Sequence, residues 1–185
     1  MDRRDPKEVI AEHLAVPRKR LSAGLATGGW HAESWQGGFD ARPESICFLK
    51  EHTIPGRQLH AVVFETRRGL RMHWTCPLTQ GKDGNWWVEG GAGGGGDLPD
   101  RNPPWANLGG GGWPNRFYAG GRILDATGQV ERVRLIGSNS TTLEDTVDHR
   151  WVLFLTDAPV ELPIQVQLYD SAGRLLNQHP LIGRS

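Results

Sequence analysis

Beyond residue 45 the chain alternates apolar and polar residues with a period of two; a helical period occurs only once, near the start. In residues 70–76, Leu70, Met72 and Trp74 alternate with Arg71, His73 and Thr75, which predicts a strand with one buried and one wet face. Residues 59–66 precede it across Arg67, Arg68 and Gly69, so the two runs predict a hairpin. Further strands are predicted at 46–52, 85–89, 117–124, 130–136, 141–147, 164–169 and 174–177. Residues 151–155 (Trp151, Val152, Leu153, Phe154 and Leu155) are apolar on both faces and predict a strand central in a sheet. Short strands separated by Gly, Pro and Asp turns predict a mainly β fold, an antiparallel β-sandwich, with a partly open barrel as the alternative.

The helical stretch is residues 5–16. Asp5 is a suitable N-cap, Pro6 suits the first helical position, and Pro17 stops the run. Arg18, Lys19 and Arg20 follow as a basic cluster at the helix C-terminus, where cations interact favourably with the dipole. Residues 1–20 are read as a helix and basic tail, and 21–185 as one β domain.

Residues 81–122 break the pattern. They hold 14 of the 25 glycines and four of the eight tryptophans: Trp86, Trp87, Trp105 and Trp113. Glycine runs at 93–96 and 109–112 flank Pro99, Pro103 and Pro104, a composition that predicts no regular helix or long strand. The interleaved aromatics predict an ordered crossover loop rather than a linker.

Composition narrows the function classes. Lys plus Arg equals Asp plus Glu at 21 each, so no global charge argues for nucleic acid or an anionic membrane. No apolar run approaches a membrane span, and residues 1–6 lack the apolar core of a secretory signal, which makes a cytoplasmic location the expectation. Cys47 and Cys76 lie in strand-like runs without CxxC spacing and are expected to be buried free thiols, with a disulfide between neighbouring strands as the alternative. Residues 91–96 match GxGxxG, but the following prolines forbid the helix that would receive a pyrophosphate. The histidines show no HxxxH or HExxH spacing, and the acidic run from Glu144 to Asp148 lacks a calcium-loop pattern. No cofactor and no metal is expected.

Residues 130–176 resemble the immunoglobulin-like or fibronectin-like sandwich modules common in bacterial proteins of unassigned role. The resemblance lies in Val133, Arg134 and Leu135, the apolar run 151–155, and the closing hairpin from Val166 to Leu175. The paired cysteines and core tryptophan spacing of true immunoglobulin domains are absent. The resemblance implies a sandwich and carries over no catalytic residue.

The expected function is a non-enzymatic protein–protein interaction or structural accessory subunit. Its partner is another protein or a second copy, and its contact residues are Trp105, Trp113, Asn115, Arg116 and Tyr118 on the Gly-rich crossover. The alternative is a carbohydrate- or small-ligand-binding domain in which Trp113, Tyr118, Asn115 and Arg116 converge. A third reading is an enzyme using His60 and His73 on the 59–76 hairpin.

Overall fold

The computed structural model describes residues 4–17, 19–20, 35–36, 39–113 and 115–181. Most of the loop expected at 21–45, with Arg18, lies outside these residues. The fold is mainly β: of the described residues 52% are strand and 8% helix, and they form no closed barrel.

Helix α1 (Pro6–Ala15) begins where Asp5 accepts a hydrogen bond from the Lys7 N–H, and ends before Pro17. It buries Ile10 and Leu14 completely. Those two side chains together contribute roughly 3–6 kcal/mol, and such docking is what a ten-residue helix needs to persist. Strands β1 (Lys19–Arg20) and β2 (Trp35–Gln36) form a small antiparallel pair.

The first large sheet contains β3 (Cys47–Ile54), β4 (Arg57–Glu65), β5 (Arg71–Gln80) and β6 (Trp86–Val88) in that order, with β7 (Ala92–Gly95) also pairing β5. The second runs in the order β12 (Trp151–Thr156), β9 (Arg116–Leu124), β8 (Trp105–Trp113). The third runs β11 (Thr142–Thr146), β10 (Arg132–Ile136), β13 (Gln165–Tyr169), β14 (Leu175–Pro180). All pairings are antiparallel.

The layers stack in a fixed sequence, and the alternation of each strand explains it. In β4, Val62 and Phe64 join Ile10 and Leu14 of α1 in one apolar cluster. Leu59, Ala61 and Val63 of the same strand join Tyr118, Trp151, Leu153 and Leu155 of the second sheet. Val152, Phe154, Phe117 and Ala119 point the other way, onto Val133, Leu135, Val166 and Leu168 of the third sheet. The order is therefore α1, first sheet, second sheet, third sheet, with apolar packing in each gap.

Three expectations change. The 81–122 stretch is not a loop throughout: β7 and the nine-residue β8 run through its glycine tracts. Close packing explains why. A Cβ on Gly109 would lie 2.8 Å from the Ala92 methyl, and one on Gly120 would lie 2.9 Å from Thr75 Cγ2. Bare backbone lets the first and second sheets meet there. The face of β5 expected to be wet is covered by the second sheet, so Thr75 is buried. Strand β12, expected to be central, stands at the edge of its sheet, and its two apolar faces are explained by layers above and below. In addition, Cys47 is exposed whereas Cys76 is buried, and both are free.

Candidate functional site

Of the expected contact residues, Trp105 stands at the opposite end of the β8–β9 hairpin from Asn115, Arg116 and Tyr118. Trp105 is half-buried: its indole stacks on the His179 imidazole with centroids 3.6 Å apart, and the Arg101 guanidinium lies 5.4 Å from its ring. Tyr118 is buried in the gap between the first and second sheets, where desolvation, with Cys76 and Glu89 nearby, raises its pKa. Asn115 and Arg116 are exposed at the β8–β9 turn. Arg116 Nη1 donates to Glu89 Oε1 at 2.7 Å, and Thr79 Oγ1 donates to the same oxygen at 2.6 Å. The side chain of Trp113 lies outside the described residues. Trp105 is thus held by His179 at the start of β8, and Tyr118 is held in the core near the other end of the hairpin.

His60 and His73 sit on opposite faces of the first sheet. His60 faces the helix side, with Phe48 5.8 Å away and Nε2 2.9 Å from Gln58 Oε1. His73 faces the second sheet, near Trp151, with Nε2 3.2 Å from Asp97 Oδ1 and 3.5 Å from Arg122 Nη1. Burial lowers both pKa values. A sheet one strand thick separates the rings, so the pair shares no cleft. Among the described residues no group of three or more His, Cys, Asp or Glu is placed to hold a metal ion. No described helix is long and apolar enough to cross a membrane.

Two open surface grooves are present, and none of the described expected residues lines either. A groove of about 540 Å³ between α1 and β6 is lined by Val9, His13, Val16, Trp86 and Trp87. One of about 360 Å³ lies beside Ile164 and His179.

The feature that the sequence pattern missed is the edge of the second sheet. Strands in an antiparallel sheet turn both backbone groups of alternate residues outward. On β12 the outward residues are Trp151, Leu153 and Leu155, and the first two are capped. Trp151 exchanges both its backbone bonds with Asp148. The Leu153 N–H donates to Asp145 Oδ2 at 2.7 Å, and His52 Nδ1 lies 3.2 Å from the Leu153 carbonyl oxygen.

On β8 the outward set begins at Ala106, whose N–H donates to His179 Nε2 at 3.3 Å, while Asn177 Nδ2 donates to the preceding Pro104 carbonyl at 2.7 Å. By alternation Leu108, Gly110 and Gly112 also face outward, and their backbone groups have no partner among the described residues. Gly110 and Gly112 are exposed. Residues 105–113 contain no charged residue and no proline. The outer strands of the first and third sheets are guarded in the usual ways: β3 carries Lys50 and Glu51, β11 carries Glu144 and Asp145, β14 ends in Pro180, and β6 and β7 are short.

What this edge can do is add a strand. Main-chain pairing supplies the attraction, and bare glycines impose few side-chain demands on what pairs. No protein-family model, no curated protein and no solved structure matches this chain.

Proposed function

We propose that the chain is a non-enzymatic interaction subunit that joins its partner by strand addition at the outer edge of β8. The observation carrying this reading is the run of outward backbone groups at Leu108, Gly110 and Gly112, without a partner among the described residues, on a strand with neither charge nor proline. An edge of that kind is a template for pairing, and the outer strands of the first and third sheets are guarded against it. The contact element is thus the backbone of the Gly-rich stretch rather than its aromatic rings. Two free cysteines suit a reducing compartment such as the cytoplasm.

Gly112→Pro provides the test. It removes an outward N–H and leaves every bond to β9 in place. A Cβ at this position meets Phe117 Cδ2 at 3.6 Å, an ordinary contact. Tagged wild type and tagged variant are used as bait in a cell extract that also contains untagged copies of the chain. The expected result is one polypeptide retained in near-equal amount by wild type and lost with the variant, whose melting temperature stays close to that of wild type. Equal retention by both baits overturns the reading.

A further inference from the structure

We infer that the strand added to β8 is β8 of a second copy of this chain, paired antiparallel about a two-fold axis at Gly110. This inference rests on the interaction reading above and names its partner.

The open part of the edge has two ends. At one, His179 and Asn177 already occupy the Ala106 N–H and the Pro104 carbonyl. At the other, the strand ends at Trp113. Between them the outward residues are Leu108, Gly110 and Gly112, and Gly110 is the midpoint. A two-fold axis through an antiparallel pair must pass at such a midpoint, because residue i of one copy meets residue j of the other and the converse. With Gly110 facing Gly110 of the partner, Leu108 of each copy faces Gly112 of the other. On the order of six main-chain hydrogen bonds form, and Ala106 is not asked to give up its bond to His179.

The chemistry of self-pairing also fits. A two-fold axis sets each charge close to its own like, which is destabilising when the two stand opposite. Residues 105–113 hold no Lys, Arg, Asp or Glu, and the whole chain is neutral at pH 7, so the copies do not repel at long range. Gly110 and Gly112 carry no side chain to obstruct approach. The result is a continuous six-stranded sheet running through both copies, built from the three strands of each second sheet.

The test is sedimentation equilibrium of the purified chain over a wide concentration range, for wild type and Gly112→Pro, with amide hydrogen exchange on the wild type. The expected result is a concentration-dependent dimer for wild type and a monomer for the variant. Exchange at the Leu108, Gly110 and Gly112 amides should slow by at least about tenfold from dilute to concentrated wild type. The exchange arm needs no variant, so a misfolded Gly112→Pro does not weaken it. Fast exchange at those amides in a dimer, or a variant that remains dimeric and folded, places the interface elsewhere and overturns the inference. A wild type that stays monomeric overturns self-pairing as well. In that case a foreign polypeptide retained by wild type and lost with the variant leaves the interaction reading standing, and retention of nothing removes both.

Discussion

The indole of Trp105 lies flat on the imidazole of His179, with ring planes 11° from parallel. The same imidazole accepts the Ala106 N–H through Nε2 and lies with Nδ1 3.0 Å from the Pro180 carbonyl oxygen. One ring therefore ties the start of β8 to β14, joining the second and third sheets. Trp105→Ala should lower stability by about 3 kcal/mol, within the usual range for losing a packed aromatic. A double-mutant cycle with His179→Ala should return a coupling of about 1 kcal/mol. Urea unfolding of the four proteins measures it, and strict additivity would show that the stack contributes nothing of its own.

Acid should weaken the fold. His13, His60, His73 and His179 all have pKa values held below the ordinary 6.5, with burial the leading cause in each. A lowered folded-state value means that the unfolded chain takes up protons first as pH falls. The neutral rings' contribution is then fully present above pH 6.5 and is lost as pH drops from there through the folded-state values. Melting temperature followed from about pH 8 to about pH 5 should fall on the acid side, and His60→Leu should flatten that fall.

Glycine positions should separate into two kinds. A Cβ on Gly121 would lie 2.0 Å from the Asn107 carbonyl oxygen, which is backbone and has no room to yield. Gly121→Ala should cost about 3 kcal/mol or prevent folding. Gly112→Ala, meeting only ordinary contacts, should stay within about 0.5 kcal/mol of wild type. Thermal unfolding of the two variants side by side makes the comparison.

Lys50 on β3 reaches Asp145 on β11 at 2.7 Å, with both side chains largely buried at 11% and 15% exposure. Lys50 also donates to the Thr146 carbonyl. Lys50→Met leaves a mostly buried carboxylate without its cation and should cost roughly 3 kcal/mol. Asp145→Asn should cost less than Asp145→Leu, because an amide oxygen still accepts the Leu153 N–H. Chemical denaturation of the three variants checks that order.

Much of the fold was legible from the chain. Asp5, Pro6 and Pro17 marked α1, and the alternation Val133/Leu135 against Arg132/Arg134 marked β10. Strand β8 was not legible, because a period-two pattern needs side chains to display it and four consecutive glycines display none. The second buried face of β5 was hidden for a related reason. Its inward positions are His73 and Thr75, polar residues that a hydrophobic pattern assigns to solvent, although Trp151 and Gly120 cover them. The proposed contact lies in the same stretch as the residues singled out from the sequence, but on its backbone rather than on its rings. Tryptophan and tyrosine draw attention as contact residues, yet Trp105 and Tyr118 serve packing, and the open groups belong to backbone beside them.

The return of β12 to the middle sheet bears on how the molecule comes apart. Residues 6–124 supply the helix, the first sheet and two strands of the second, while the third sheet is made wholly from residues after 131. Strand β12 crosses back from that later portion, pairs β9 from Trp151 to Thr156, and packs Leu153 against the first sheet. A cut near residue 128 therefore yields no two self-sufficient pieces. The front fragment loses the neighbour of β9 and the back fragment loses the surface that its apolar residues need, so the halves are complementary fragments, expected to regain structure only when mixed.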